Sequence, residues 1–513
     1  MCNKKFNISV TGASGNMGQG FLDELNKTPN LVDGIKILCL YKNEPKKLKK
    51  KYKNLSKKFE FIVGNIASSE ICDEIVKDCS LVLNMCAVIP PKSDQRPQSA
   101  IDCNEIGVRN LVNSIEKVKA DQPALVHIST VALYGHRTGA NKFGRVGDPL
   151  VPSPFDIYSA TKLRGEYMVL ESDIKTWVVL RQTAILHYNM FKDNLSDGLM
   201  FHTNIDSPLE WVTSSDSGLL MRNIVAQFKE KQIPDHFFKK VYNIGGGAST
   251  RTYGYETYDE GFKIINGSFK DFFKPHYNAT RNFHGMWYLD SDALEKMFHF
   301  RRQSCSYYWK EMSSRNKIYK LGKLIPKSWI AHFTIKRLLK NYNSPAYWAK
   351  TKQDAKLIAA FGSVDKYNEL KNLSWIDVKF PDEKNIPIEK TTEERILAYG
   401  YDINKTDKEI TKEDLIQVAN AHGGQCVNAD IFDGNLYKKL LWKNSDGEEF
   451  SSTVYSVIRA GHWYNSLYNS NVWEFDRLAK KDKIFAHIWY DSHGKDENNK
   501  YIIDKNFNSR IGE

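Results

Sequence analysis

The feature that most constrains the fold is a glycine-rich turn between a strand-like run and a helix-like run near the start of the chain. Residues 6–10 alternate in polarity as a strand does, and residues 19–25 have a helical pattern. Between them lie Gly12, Gly15 and Gly18. Glycines at this spacing permit a tight turn, let the backbone approach a pyrophosphate, and let the helix pack against the strand. The turn therefore predicts a nucleotide-binding β-α-β unit.

Strand-like and helix-like runs continue to alternate through the first half of the chain. Further strands are predicted at 35–40, 59–63, 81–85, 125–129 and 177–180, with helices such as 101–118 and 159–170 between them. Connections of this length predict an α/β fold, a Rossmann-like doubly wound parallel sheet. Ligands of such a sheet bind beyond the C-terminal ends of its strands.

Composition divides the remainder into two further parts. Residues 301–353 contain thirteen Lys/Arg and one acidic residue, Glu311, so this segment alone accounts for the net charge of +12. Its aromatic and aliphatic residues recur at helical spacing, which predicts amphipathic helices. We expect a nucleotide-binding domain at 1–300, a basic amphipathic helical segment at 301–400 and a small α+β domain at 401–513.

The cellular compartment is indicated by the cysteines and by the N-terminus. The eight cysteines contain no CxxC pair, and several lie in apolar runs, as buried thiols in a reducing compartment do. The first ten residues lack the apolar core of a signal peptide, and no window approaches the ~18 consecutive apolar residues of a membrane span. We expect a cytoplasmic protein without a transmembrane segment.

A second motif is typical of acid–base chemistry. Tyr158 and Lys162 are four residues apart, which places them on one face of a helix, and Thr130 follows the predicted strand at 125–129. A tyrosine with a pKa of ~10 exchanges protons near neutrality only if its phenolate is stabilised, which a neighbouring ammonium group does. We predict that Thr130 orients a substrate oxygen, that Tyr158 transfers the proton and that Lys162 lowers the pKa of Tyr158.

These motifs together resemble the extended short-chain dehydrogenase/reductase family, the NAD(P)-dependent epimerase/dehydratase group. The matching positions follow the family's order: 11–18, 64–66, 84–87, Asn104, 129–135, Tyr158 with Lys162, 180–181, Asp216 and 241–245. The resemblance implies that Thr130, Tyr158 and Lys162 are catalytic and that Lys162 also holds the nicotinamide ribose. Expected cofactor contacts are Thr11, Gly12, Ser14, Gly15, Asn16, Met17, Gly18, Lys42, Asn65, Ile66, Cys86, Ala87, Tyr158 and Lys162.

Two departures from the family pattern bear on the reaction. Dehydratases of the family carry Asp-Glu directly after the catalytic Thr, whereas this chain has Val131 and Ala132, whose side chains cannot move a proton. Sugar-nucleotide epimerases usually have an Asn where this chain has Ala184. The sequence therefore favours a carbonyl reductase or alcohol dehydrogenase acting on a small-molecule carbonyl or alcohol. A sugar-nucleotide epimerase and a nucleotide-sensing interaction protein remain the alternatives.

The choice of cofactor depends on the end of the second strand. An acid there bonds the ribose 2′-hydroxyl of NAD, whereas a cation accommodates the 2′-phosphate of NADP. The sequence places Lys42 at this point, with no acid before Glu44 and five more lysines between 46 and 51. This predicts NADP, with NAD as the other possibility. The lysines could equally form a solvated helix face.

The basic segment at 301–353 has three interpretations. It could be a helical cap on the nucleotide-binding domain, or a surface that contacts an anionic membrane or another anionic partner. Binding to nucleic acid is the third, and we expect none because no nucleic-acid motif accompanies the charge.

The C-terminal part resembles a zinc-ribbon repeat that has lost its metal ligands. The resemblance rests on 423–426, 439–443 and 461–463. A structural zinc ion needs about four Cys or His ligands. The four metal positions of the repeat are Asn444, Glu448, Tyr464 and Leu467. We expect no metal, a domain that folds on its aromatic core, and a role in interaction or substrate gating.

Overall fold

A seven-stranded parallel sheet forms the centre of the molecule. The computed structural model describes residues 5–190, 193, 198–381, 388–464 and 470–503. The strands are β1 Asn7–Thr11, β2 Gly34–Cys39, β3 Phe59–Val63, β4 Leu81–Asn84, β5 Ala124–Thr130, β6 Trp177–Gln182 and β7 Lys240–Ile244. Their order is β7-β6-β5-β4-β1-β2-β3, and every neighbouring pair is parallel. The predicted Rossmann-like α/β fold is confirmed.

Helices cover both faces of this sheet. They are α1 Asn16–Leu25, α2 Glu44–Lys51, α3 Ser69–Val76, α4 Gly107–Lys117, α5 Ile157–Leu170 and α6 Ser214–Glu230. Because side chains alternate along a strand, β1 and β2 send Val10 and Ile37 to the face covered by α1 and α6, whereas Val82 and Val179 point to the face covered by α3 and α4. Both faces are therefore apolar and dry, as the crossover helices require.

The other elements of the chain are short. The remaining helices are Lys92–Gln95, Pro97–Ile101, Gly254–Lys263, Phe269–Phe272, Asp292–Phe298, Cys305–Arg315, Lys327–Ile330, Lys336–Leu338, Pro345–Lys350, Asp354–Phe361, Val364–Leu370, Ile388–Tyr399, Lys412–Ala421, Phe475–Ala479 and Lys483–Trp489. Paired short strands are Phe143–Gly144 with Trp287–Tyr288, Ile185–Leu186 with Val212–Thr213, Pro208–Glu210 with Arg251–Tyr253, and Val472–Trp473 with Tyr501–Ile502.

The basic segment is less regular than its sequence pattern predicts. Residues 315–325 do not form the helix that the spacing predicts. A helix instead spans Cys305–Arg315, and it begins where the Ser304 hydroxyl accepts a hydrogen bond from the Tyr307 amide. Residues 317–324 then form 3-10 turns, and Pro326 precedes the next short helix. None of the helices in the described ranges is both long enough and apolar enough to span a membrane.

The C-terminal part contains a small antiparallel sheet, as expected. Its strands are Gln425–Cys426, Lys439–Lys443 and Glu449–Thr453. Trp463 packs on Trp442 and Phe450, with ring centroids 5.9 and 5.2 Å apart, so the aromatic core is present.

The positions aligned with zinc ligands make other contacts. The Asn444 side-chain amide donates to the Glu448 carboxylate at 2.8 Å, and Tyr464 stacks on Phe450. Leu467 lies outside the described residues. Within the ranges that the structure covers, no three His, Cys, Asp or Glu side chains are grouped so that they could hold a metal ion.

The C-terminal part also packs on the sheet. Trp177 of β6 and Tyr455 lie in one apolar cluster, with ring centroids 6.1 Å apart. The amide of Val241, on the edge strand β7, donates to the Tyr455 hydroxyl at 2.8 Å. An exposed edge strand is a site for unwanted pairing, and this contact covers it.

Candidate active site

The glycine turn fits a bound pyrophosphate. Gly12 has φ +72°, and a Cβ added to it would lie 2.6 Å from the backbone nitrogen of Cys86. A Cβ on Gly18 would overlap the backbone of Gly12 and Ala13. Helix α1 begins at Asn16 without a side-chain cap and without an acidic residue in its first turn. Its first N–H groups and the positive end of its dipole therefore face the place where a dinucleotide's phosphates bind.

A buried hydrogen-bond chain fixes this turn to the neighbouring strands. The Thr11 hydroxyl donates to Asn84 Oδ1 at 2.7 Å and accepts the amides of Met85 and Cys86 at 3.2 Å. Asn84 Nδ2 in turn lies 3.0 Å from His127 Nδ1. Burial lowers the pKa of His127, so its ring is neutral and can accept that bond. The C-terminal ends of β1, β4 and β5 are thereby held in one arrangement.

An acid lies beside the glycine turn, where the sequence pattern suggested a cation. Glu44 accepts hydrogen bonds from the Ser14 hydroxyl at 3.2 Å and from the Tyr41 amide at 3.1 Å. Lys42, on which the NADP prediction depends, is exposed. The contact between Glu44 and Ser14 forms because the chain folds back after β2, and the local sequence does not predict this path.

Two expected cofactor contacts after β3 have local roles. Asn65 is exposed, and its Oδ1 accepts the Ala67 amide at 3.0 Å. Ile66 is buried against Gly107 at the start of α4. Ile66 therefore supports the helix, while Asn65 remains accessible at the sheet edge.

The expected catalytic residues come together at the C-terminal end of β5. Thr130 ends that strand and accepts the Ala132 amide at 3.2 Å. Tyr158 is the second residue of α5, a helix whose start is fixed by Asp156 accepting the Ser159 amide at 2.9 Å. Burial raises the pKa of Tyr158 to about 12, and a hydrogen bond with Thr130 offsets part of that rise. Tyr158 is therefore protonated at neutral pH.

Lys162 is placed differently from the expectation. Its ammonium is buried and donates to the backbone oxygen of Ile128 at 2.6 Å. Burial lowers the pKa of Lys162, while the Cys86 and Cys103 thiols raise it. Thr130 lowers the pKa of Tyr158, against the effect of burial, whereas the Lys162 ammonium is bound to the Ile128 oxygen.

Cys103 is a residue of this site that sequence reasoning missed. Its sulfur lies 3.9 Å from the sulfur of Cys86, on the loop after β4, and Cys86 in turn lies 3.4 Å from Asn84 Oδ1. The hydrogen bond from Cys103 lowers the pKa of the Cys86 thiol, and the positive charge of Lys162 acts in the same direction. Only the position of Cys103 beside Asn104 in the sequence could have suggested it.

Asn104 connects the loop after β4 to the catalytic helix. Its Oδ1 accepts the Val88 amide at 3.0 Å, and its Nδ2 donates to the Val88 oxygen at 3.1 Å and to the Thr161 hydroxyl at 3.0 Å. The residues that line the cofactor side at 86–88, Ala87 among them, therefore move together with α5.

A cavity of about 120 Å³ lies next to the N-terminus of α5. Pro90 and Asp156 line it on the nucleotide-binding side, and Arg281, His284 and Lys356 line it from distant parts of the chain. Sequence reasoning missed these three, because nothing local in the sequence connects them to α5. Arg281 is fixed by Glu497, with an N–O distance of 2.8 Å.

Two residues that are near the motifs in sequence have packing roles. Trp211 packs in a cluster with Leu186 and Tyr308 rather than in this cavity. His136 is buried, and burial lowers its pKa to about 4, so it is neutral and structural.

Comparisons with known proteins find similarity in the nucleotide-binding part of the chain. The sequence model of the "NAD dependent epimerase/dehydratase family" matches residues 8–181. No protein of curated function matches the chain.

Solved structures of similar proteins include three that were crystallised with NAD. A dTDP-glucose 4,6-dehydratase from Bacillus anthracis is 18% identical over 61% of this chain and 98% of its own, with a TM-score of 0.47. A UDP-glucuronic acid 4-epimerase from Bacillus cereus is 18% identical over 62% and 97%, with a TM-score of 0.44. WbmG from Bordetella bronchiseptica is 14% identical over 63% and 98%, with a TM-score of 0.45.

Proposed function

We propose that this chain, whose residues 8–181 match the NAD dependent epimerase/dehydratase family, transfers hydride between NAD and a secondary alcohol or the corresponding carbonyl compound. The observation that carries the proposal is that Thr130 at the end of β5, Tyr158 in the first turn of α5 and the buried Lys162 one turn further along come together at one edge of the sheet, with Thr130 close enough to Tyr158 to lower its pKa. Thr130 and Tyr158 offer one proton and one hydrogen-bonding hydroxyl at the position where a substrate oxygen would lie.

The residues of the chain divide the chemistry as follows. When bound, NAD supplies the group that accepts or donates hydride. Tyr158, protonated at neutral pH, gives its proton to the substrate oxygen during reduction, and Thr130 hydrogen-bonds the phenolate that is left. In oxidation the phenolate takes the proton from the alcohol. Lys162, held by the Ile128 carbonyl, provides a fixed ammonium for the nicotinamide ribose.

Dehydration is disfavoured by the residues that follow Thr130. Val131 and Ala132 are buried and carry no ionisable group, so neither can remove or add a proton during elimination of water. The proposal is therefore confined to reactions that need one acid–base residue.

We further propose NAD rather than NADP as the cofactor. The Glu44 carboxylate lies against Ser14 of the glycine turn, where an acid bonds the ribose 2′-hydroxyl and repels a 2′-phosphate. Glu44→Gln is expected to weaken NAD binding and to narrow the preference for NAD over NADP. Calorimetric titration with both cofactors measures this, with Lys42→Gln as the neighbouring control. Tighter binding of NADP than of NAD by the unchanged protein would contradict the assignment.

A sugar-nucleotide epimerase is the second candidate. The family match favours it, because oxidation and re-reduction of one sugar carbon need the same Tyr158 and Thr130. In that case NAD would be retained through purification, and a UDP- or dTDP-sugar would be converted to its epimer without net NADH formation. Mass spectrometry of bound nucleotide and chromatography of the sugar products separate the two candidates.

The decisive experiment for the proposal is a screen of alcohols and carbonyl compounds that follows NADH absorbance. Tyr158→Phe is expected to reduce turnover at least about a hundredfold while NAD binding persists, because only the transferable proton is removed. Full turnover by Tyr158→Phe, or failure of the protein to bind either dinucleotide, would defeat the proposal. Binding of NAD without any turnover would instead support a nucleotide-sensing role.

A further inference from the structure

The strongest feature outside the active site is a row of large apolar side chains that point into solvent. Ile318, Leu321 and Leu324 are 73%, 59% and 81% exposed, and Trp329 and Phe333 are 61% and 64% exposed. Single exposed apolar residues are ordinary on a protein surface, but these five and Ile325, which is 46% exposed, lie within sixteen residues and form a patch that marks an interaction site. We name the exposed side chains of residues 317–340 the basic apolar face.

The basic apolar face is held in place by the opposite side of the same segment. Ile335, Leu338 and Leu339 are buried in a cluster with Phe269 and Phe272. The segment does have a core to pack against, and its other apolar residues are exposed in spite of this. One side is anchored on the body of the protein while the other is presented to solvent.

Positive charge surrounds the exposed apolar residues. Six exposed cations belong to this face, and no acidic residue occurs between 316 and 340. A seventh cation, Lys327, is paired with Asp271 at 2.7 Å. The six are Lys317, Lys320, Lys323, Lys336, Arg337 and Lys340. The face thus combines tryptophan, phenylalanine and leucine with lysine, without any balancing acid of its own.

We propose that the basic apolar face docks the protein on the surface of a lipid bilayer that contains anionic phospholipid. Leucine, isoleucine and tryptophan side chains partition into the boundary between headgroups and acyl chains, while lysines at the rim contact lipid phosphates and the negative surface potential. The 3-10 turns at 317–324 and the short helix Lys327–Ile330 contain no buried residue, so neither the apolar nor the basic side chains of this stretch are enclosed by the rest of the protein. The protein lies on the bilayer and does not cross it.

Two other binding partners, nucleic acid and a second copy of the chain, would match fewer side chains of the basic apolar face. Nucleic acid would bind the lysines through phosphate but would leave Leu324 and Ile318 in water, because contacts to the phosphate backbone are polar. A second copy of the chain related by two-fold symmetry would bring the same lysines together, which costs electrostatic energy. Of these three occupants, the anionic bilayer matches both the apolar and the charged side chains.

The basic apolar face is followed directly in sequence by residues of the cavity beside α5. Tyr342, two residues beyond the face, donates to the Pro91 oxygen at 3.2 Å, next to Pro90 in the wall of that cavity. Asn343 and Trp348 line the same cavity.

Vesicle co-sedimentation of the full chain tests the proposal. We expect binding to vesicles of phosphatidylcholine with about one third phosphatidylserine, and little binding to phosphatidylcholine alone, with affinity that falls as salt rises. The triple variant K317E/K320E/K323E should lower the partition coefficient by about a hundredfold or more, since each basic residue near the surface contributes about fivefold. The triple variant K53E/K57E/K408E, at three exposed lysines outside the face, is the matched charge control.

A second variant tests the apolar half of the face. Leu324→Ser with Trp329→Ser should weaken vesicle binding without altering the melting temperature, because both side chains are exposed. Ile376→Ser, at a position that is 96% exposed outside the face, is the matched control. On vesicles the tryptophan emission should shift to the blue, and this shift should shrink in Trp329→Phe.

Four results would overturn the proposal. They are absence of binding to the anionic vesicles, equal losses in the variants and in their matched controls, tighter binding to duplex DNA or RNA than to vesicles at the same salt, and a dimer in solution that the Leu324→Ser/Trp329→Ser variant dissolves. None of these readouts depends on catalytic activity, so the docking proposal can fail while the proposed hydride transfer stands, and the reverse.

Discussion

Tyr158 is partly buried, and this burial raises its pKa to about 12, so its hydroxyl is protonated at neutral pH. The ammonium of Lys162, one helical turn further along, donates to the Ile128 carbonyl. The four-residue spacing of Tyr158 and Lys162 predicts a shared helix face, because that spacing is local. It cannot predict which acceptor the lysine reaches, because Ile128 belongs to another element.

This protonation state predicts opposite pH responses for the two directions of the reaction. Below the pKa of about 12 the phenolate fraction of Tyr158 rises about tenfold per pH unit, so kcat/KM for alcohol oxidation should rise with a slope near one from about pH 7 to 9. Carbonyl reduction needs the protonated form and should stay flat over the same range. Initial rates in both directions on one substrate pair check this. A plateau of the oxidation rate below about pH 8 would show another base at work.

The reactivity of Cys86 offers a second residue-level prediction. Its thiol pKa is lowered by Cys103 and Lys162, whereas burial raises the pKa of Cys72 to about 12. Iodoacetamide should therefore alkylate Cys86 well before Cys72, and bound NAD should slow the reaction because Cys86 adjoins Gly12. Peptide mass spectrometry over time measures both effects. Cys103→Ala removes the group that donates to the Cys86 thiolate and should slow its alkylation, and an unchanged Cys86 rate there would contradict the explanation.

At the scale of elements, a buried charge cluster joins α5, β6 and the C-terminal part. Arg181 on β6 donates to the Glu166 carboxylate at 2.6 Å and to the Ala460 oxygen at 2.7 Å. His462, from the motif that resembles a zinc ribbon, lies 3.0 Å from the same carboxylate. His462 therefore connects the C-terminal part to the nucleotide-binding part.

Removing the negative charge of this cluster should lower the stability of the folded protein. Glu166→Gln leaves the buried Arg181 without its counter-charge and is expected to lower the free energy of unfolding by about 3–5 kcal/mol. Urea denaturation followed by circular dichroism measures the loss. Lys117→Gln breaks the exposed pair with Asp73 and should cost below about 1 kcal/mol. Equal losses in the two variants would contradict the role assigned to the cluster.

Helices and strands with a regular pattern of apolar residues were predictable from the sequence. Contacts between residues far apart in the sequence were not. Strands such as β3 and helices such as α5 follow from local alternation and helical spacing, and so does the glycine turn. The cavity residues Arg281 and Lys356 escaped prediction, because only the folded chain brings them to α5. Residues 317–324 form 3-10 turns although their apolar spacing suggested a regular helix. Asn316 and Gly322 interrupt that pattern.

For the whole molecule, the C-terminal part and the central sheet share one apolar cluster. Ile115 and Trp177 belong to it together with Leu415, Trp442 and Ile458. Glu171 at the end of α5 accepts hydrogen bonds from the Ser452, Thr453 and Ser456 hydroxyls. The C-terminal part therefore completes the fold on one side of the sheet.

This shared cluster predicts that the two parts unfold together. Scanning calorimetry should give one transition for both, because separating them would expose Trp177 and the edge of β7 to water. Tyr455→Phe removes the hydroxyl that accepts the Val241 amide and should lower that transition without splitting it. Two well-separated transitions in the unchanged protein would contradict a common core.

Transfer of deuterium from NADH labelled at the nicotinamide C4 position tests the central claim most directly. The chain is predicted to pass one deuterium to the carbonyl carbon of its substrate, detected by mass spectrometry of the alcohol product, and Tyr158→Phe is predicted to lose this transfer while still binding NAD. Transfer at an undiminished rate in Tyr158→Phe, or a product that acquires no label from the cofactor, would contradict the assignment of hydride transfer to this site.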